Sequence, residues 1–398
     1  VARLDRRGGE AYRGPMSRFP PIQDARALFD LPREAAYLNA AYVGPMPKAA
    51  IAAGRVSYER RARPWEMSVK DDFFGTVERV RALGAGLFGG RAEDVALVPS
   101  ASYGLAVAAA NIPLAPGREI LVLDGQFPSN VFIWRRVAER DGAVLRTVRR
   151  QPGESWTEAL SAAIGPRTGL LACPAVHWVD GGRIDLAALR PALRDAGAAL
   201  VLDLTQSLGA MAFDAASVDP DFAVAACYKW LLGPYQTGLL HVAERHHGGR
   251  PLEENWIARR GSSDFARLID YADDYEPGAR RFDMGERSGF QTLPALIASL
   301  ELMTGYGAEA IAARAGALAA GLAEAAAPYG LTPATPDRAD HYLALALPGD
   351  APGDLLERLK TSGVHLSRRG DSLRVSPHIY NDEADIARFA DALKAAFA

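Results

Sequence analysis

The chain has 398 residues, 49% hydrophobic and 23% charged, a balance that supports a large core and excludes disordered and fibrous classes. A formal net charge of −3 supplies no basic field for nucleic acid or a membrane surface, so small-molecule partners are expected. Cys173 and Cys227 both fall inside apolar runs and read as small buried hydrophobes rather than a disulfide, which fits a reducing, cytoplasmic setting.

The first 20 or so residues are rich in Arg, Gly and Pro, lack the apolar middle of a signal peptide, and are expected to form an arm. No apolar run reaches the roughly 18 residues of a membrane span. An amphipathic helix is predicted over "DDFFGTVERVRAL", followed by Gly84-Ala85-Gly86-Leu87-Phe88-Gly89. That hexapeptide matches G-x-G-x-x-G, but it follows a helix where a dinucleotide site requires a strand, so it reads as a helix C-terminus and turn. Short apolar runs then alternate with amphipathic stretches: "EILVLD", "AVLRTV", "GLLACPAVH", "AALVLDLTQ", "DFAVAACYK" and "TGLLHVA". This alternation predicts an α/β fold with a mostly parallel sheet flanked by helices. A crossover helix is predicted from Asp185 to Gly197, with Leu186, Leu189 and Leu193 on one face. His246-His247 lacks metal-ligand spacing and reads as a solvated turn, so no metal is expected. Further on, "LPALIASLELMTGYG" and "AEAIAARAGALAAGLAEAAAPYG" predict long helices. The runs "HYLALALP", "GVHLSRR" and "SLRVSPH" predict strands, with a last helix from about Asp382. The expected organisation is residues 1–36 as an N-terminal segment joining the small domain, 37–290 as the large domain, and 291–398 as a smaller α+β C-terminal domain.

The chemistry centres on two strand ends. "LVLDLTQS" ends an apolar strand on Asp203, with Gln206 and Ser207 just beyond, and "DFAVAACYK" is expected to end the next strand on Lys229. Ligands gather at the carboxyl ends of parallel strands, so these two residues should share one cleft. Singly, Asp203 reads as a helix cap and Lys229 as a snorkelling lysine. Together they suit pyridoxal phosphate, whose aldehyde condenses with a lysine and whose pyridine nitrogen needs a carboxylate beside it.

"DLTQS" followed by "CYKWLLGPYQTGLL", with "YLNAAYVGPMP" before and "LRVSPHIYN" after, resembles the class V aminotransferase family of fold-type I pyridoxal phosphate enzymes. That family also holds cysteine desulfurases, kynureninase and isopenicillin N epimerase. The resemblance implies Lys229 as the Schiff-base lysine, Asp203 as the pyridinium partner, and Gln206 as donor to the ring's phenolic oxygen. It places the phosphate loop at Ser100-Ala101-Ser102, where the same serine could equally serve as an ordinary helix cap. Tyr228 stands where desulfurases carry His and kynureninase-like members Tyr. Phe127 takes the position of the aromatic ring that stacks on the cofactor, where it stacks but carries no proton. Arg374 is mapped to the substrate α-carboxylate, with Arg368 and Arg369 read as surface charges. Asn39, Tyr42 and His177 are implied substrate-pocket residues. No cysteine follows Cys227, where desulfurases need one, and Gly285-Glu286-Arg287-Ser288 replaces a Gly-Thr whose hydroxyl reaches the partner's phosphate in relatives. The expectation is therefore a homodimeric enzyme acting at the α-carbon of a small amino acid, aminotransferase first. The alternatives are a C–S or other β-lyase, a kynureninase-like hydrolase, or a non-catalytic binding module.

Overall fold

The computed structural model describes residues 19–398; residues 1–18, which hold most of the expected arm, lie outside the described residues. A two-residue strand, β1 (Ala36–Tyr37), comes first. The large sheet is built from β2 (Val95–Val98), β3 (Glu119–Leu123), β4 (Val144–Val148), β5 (Thr168–Pro174), β6 (Ala199–Asp203), β7 (Phe222–Ala226) and β8 (Gly238–Val242), in the order β2-β8-β7-β6-β5-β3-β4. Pairings from β4 across to β7 are parallel; only β8 runs against its neighbours. Six of these strands arise from the predicted runs. β2 was not predicted, because four apolar residues between Asp94 and Pro99 carry no alternation and no length to mark a strand.

Every residue of β5 and β7 is buried, the signature of strands covered on both faces. Leu121, Leu171, Leu200 and Ala223 enter one core layer, while their neighbours Ile120, Leu170, Val201 and Phe222 enter the other. The helix Ala101–Asn111 lies close on β7: a Cβ at Gly104 would meet Val224 Cγ2 at 2.6 Å. The crossover helix forms at Leu186–Asp195, with Asp185 capping the Ala188 N–H at 3.1 Å. The glycine hexapeptide ends the helix Thr76–Phe88, with Gly89 left-handed at φ 64°. His246 and His247 are not solvated as expected. The turn folds back on the large sheet, placing His246 Nε2 2.7 Å from Asp221 and His247 Nε2 3.3 Å from Asp94.

The C-terminal part adds β9 (Thr332–Pro333), β10 (Leu343–Ala346), β11 (Val364–His365), β12 (Ser367–Arg369) and β13 (Ser372–Val375). β12-β13-β10-β9 form an antiparallel sheet, whereas β11 pairs in parallel with β1. The single strand expected over "GVHLSRR" is thus two, divided at Leu366, because its halves serve different sheets. The helical run Ala308–Tyr329, which contains the helix Ala308–Ala326, is long and apolar enough to span a membrane by length and composition alone. Here Ala319, Leu322 and Ala326 share a core with Phe389 and Leu393 of the helix Glu383–Ala396. The helix Leu293–Tyr306 packs on Lys48–Arg60 and Thr76–Phe88, beside the large sheet.

Candidate active site

The carboxyl ends of β3, β5, β6 and β7 open on one side of the large sheet. β2 runs with β7, so the N-terminus of the helix Ala101–Asn111 opens there too. Between them lies a cavity of about 430 Å³. Ser100, Ala101, Ser102, Phe127, Asp203, Gln206, Tyr228 and Lys229, all expected site residues, line it.

The strand carrying Lys229 stops earlier than expected, at Ala226. Cys227 donates its N–H to Thr237 O at 2.9 Å, and the Tyr228 carbonyl accepts from Gly44 N–H at 2.8 Å, which turns the chain out of the sheet. Gly44 has to be glycine: a Cβ there would stand 2.2 Å from the Lys229 carbonyl oxygen. Lys229 itself is 7% exposed, its Nζ 5.5 Å from the centre of the Phe127 ring and 5.6 Å from that of Tyr228. Among the described residues no carboxylate oxygen comes within 4 Å of this amine. Burial, with Arg374 and Arg369 acting in the same direction and Asp203 opposing, brings its pKa down to about 8. The amine is therefore a neutral nucleophile above about pH 8, where an unperturbed lysine would stay protonated to about pH 10.5. Rebinding of pyridoxal phosphate to cofactor-free protein should accelerate as pH rises through about 8 and then level off; a midpoint near 10.5 in stopped-flow absorbance would contradict this.

Asp203 Oδ1 accepts the Thr205 N–H at 3.0 Å, and Thr205 Oγ1 accepts the Ala226 N–H at 3.1 Å, which ties the ends of β6 and β7 together. Gln206 is clamped at both ends of its amide, donating Nε2–H to Ala41 O at 3.2 Å and accepting Trp230 Nε1–H at 2.9 Å. Its second Nε2 proton has no partner among the described residues. Ser100 caps its helix by accepting the Tyr103 N–H at 3.2 Å and lies 2.9 Å from Ser102 Oγ. Thr205 and Trp178 also line the cavity and were missed as site residues. Thr205 stood in plain view inside "DLTQS". Trp178 was passed over for its neighbour His177, which does not line the cavity. His177 Nε2 instead lies 3.1 Å from Asp124 O, its Nδ1 3.1 Å from Asp180, and its ring packs on Trp156.

Arg374, Asn39 and Tyr42 also fall outside that lining. Arg374 is 1% exposed; its Nε donates to Ser367 Oγ at 3.1 Å, and Ser367 Oγ donates to Asn39 Oδ1 at 3.1 Å. Asn39 thus acts on Arg374 through Ser367, and Tyr42 is exposed. Arg374 Nη2 is buried without a partner among the described residues, a donor left open for an anion. In the Gly285-Ser288 stretch, Arg287 is held by Asp283 at 2.7 Å and Ser288 Oγ donates to Phe73 O at 2.6 Å, so both are engaged within their own chain.

These residues fit pyridoxal phosphate on chemical grounds. A lysine amine of lowered basicity meets an aldehyde, a carboxylate meets a pyridine nitrogen, a phenyl ring meets a flat heterocycle, and a serine-capped helix N-terminus meets a phosphate.

Comparison with known proteins agrees. Isopenicillin N epimerase of Amycolatopsis lactamdurans is 30% identical over 412 residues, covering 93% of this chain and 97% of that protein. Kynureninase of Deinococcus radiodurans is 30% identical over 292 residues, covering 71% and 68%. A cysteine desulfurase of Escherichia coli superposes with a TM-score of 0.80 at 21% identity, over 95% of this chain and 98% of that one, which establishes fold type I. Residues 45–389 match the family described as aminotransferase class-V, and the chain belongs to this family of pyridoxal phosphate-dependent enzymes.

Proposed function

We propose that the protein is an aminotransferase acting on a small α-amino acid, working as a homodimer in the cytoplasm. The observation that carries this reading is that Lys229 Nζ faces the Phe127 ring at 5.5 Å. Phe127 carries no proton, so the pair offers Lys229 as its one proton carrier, which favours transamination over a two-base inversion. Pyridoxal phosphate, when bound, supplies an aldehyde for the Lys229 amine and an electron sink for the pair left at the substrate α-carbon. Arg374 receives the α-carboxylate through its open Nη2. Lys229 would hold the cofactor through its amine and, once freed, would take the α-proton and pass it along the same face to the carbon that bore the aldehyde. Asp203, one oxygen of which accepts the Thr205 N–H, would hold the pyridine nitrogen of the cofactor protonated through its other oxygen. Gln206, its amide orientation fixed by Trp230 and Ala41, would donate its remaining Nε2 proton to the phenolic oxygen of the cofactor.

The test is a panel of amino acids with oxo acid, pyruvate, sulfide and optical rotation followed together. One equivalent of oxo acid per subunit without acceptor, with turnover only after a second oxo acid is added, is expected. Pyruvate with ammonia and no acceptor would replace the proposal with a β-lyase. Epimerisation is a second reading, favoured by the near full-length likeness to isopenicillin N epimerases, and inversion without oxo acid would establish it.

Cysteine desulfuration through an enzyme persulfide is not expected, although solved cysteine desulfurases share the fold. Both cysteines are fully buried, and burial raises both thiols, that of Cys227 to about 12 with Thr237 opposing. After incubation with L-cysteine, mass spectrometry should find neither cysteine peptide carrying extra sulfur. A stoichiometric persulfide with alanine release would overturn the reading.

A further inference from the structure

β12 and β13 bring two arginines onto one face. Opposed residues of an antiparallel pair share a face, and here Ser367 opposes Arg374 while Arg369 opposes Ser372. Ser367 and Arg369 are two residues apart, as are Ser372 and Arg374, so Arg369 and Arg374 project from the same face of the small sheet. Arg368 points the other way, its Nε donating to Gly370 O at 2.9 Å and its Nη2 3.5 Å from Asp371. The sequence expectation grouped Arg368 and Arg369 as surface charges; strand alternation separates them.

The Arg369 guanidinium lies 5.6 Å from the centre of the Trp178 ring. Trp178 meets Phe127 edge to face at 5.4 Å, and Phe127 faces Lys229 Nζ at 5.5 Å. A run of contacts therefore leads from Arg369 along the cavity wall to the lysine. Arg369 Nη1 donates to the Arg368 carbonyl at 2.7 Å; among the described residues no carboxylate oxygen lies within 4 Å of Arg369 or Arg374. Burial, and then the neighbouring Arg374 charge, lowers the Arg369 pKa, as expected for like charges on one sheet face with no counter-ion beside them among the described residues. One α-carboxylate can neutralise Arg374. It leaves Arg369 for a second anion.

We propose that Arg369 is a specificity-determining residue that receives a second carboxylate, so that the substrate is an amino acid with an anionic side chain. This rests on the reading of Arg374 as the α-carboxylate site. The holoenzyme is titrated with L-aspartate, L-asparagine, L-glutamate and L-glutamine, and dissociation constants are read by calorimetry. In at least one pair the acid should bind about 10-fold tighter than its amide. R369Q should remove that preference and leave the amide's affinity within about twofold, while R374Q weakens acid and amide alike. Equal binding of acid and amide by the unaltered enzyme overturns the side-chain proposal alone, as does R369Q weakening both equally, which would make Arg369 a contact to the α-carboxylate. Failure of all four to bind a holoenzyme that retains its cofactor overturns this proposal together with the reading of Arg374.

Discussion

Lys229→Ala should lower turnover by on the order of 10²–10⁴-fold or more, since one side chain is both the nucleophile for the cofactor aldehyde and the group that moves the α-proton. The fold should survive. Lys229 follows β7 in a turn whose hydrogen bonds come from the backbone, and its amine has no carboxylate within 4 Å among the described residues to leave unpaired. Circular dichroism should be unchanged, while added small amines restore part of the rate. Turnover within tenfold of the unaltered enzyme would remove Lys229 from the chemistry.

Arg374→Gln is expected to raise KM for amino acids by roughly 30- to 1,000-fold, about 2–4 kcal/mol, the cost of losing a buried charge-assisted pair with the substrate carboxylate. Cofactor content should be unaffected, because Arg374 stands outside the residues that line the cavity. Thermal stability should hold or rise slightly, since the guanidinium is buried with an open Nη2 and, among the described residues, no carboxylate within 4 Å. Unchanged KM would place the substrate carboxylate elsewhere.

The fold was legible where burial imposes a pattern. β5, β6 and β7 sit between two core layers, and their unbroken apolar runs announce that position. Asp203, Gln206 and Lys229 were legible for the same reason: polar groups at the ends of such runs have to face a cleft. β2 was not legible, because it is short and fixed by its partner β8, a contact far away in sequence. The break between Ala226 and Lys229 depends on Gly44, nearly two hundred residues away, and local periodicity carries no trace of it. The exchange of His177 for Trp178 at the cavity has a similar origin, since adjacent residues leaving a strand face opposite ways and only the surrounding packing decides which one reaches the site. Arg369 and Arg368 pose the same one-residue question on β12.

The account stands on Lys229 as the residue that bonds to the cofactor, and borohydride reduction followed by peptide mass spectrometry tests that bond directly. Reduced holoenzyme should carry one phosphopyridoxyl group per subunit, on the peptide containing Cys227-Tyr228-Lys229 and on the lysine itself. An adduct on any other lysine, or none in protein that binds the cofactor stoichiometrically, would contradict the account.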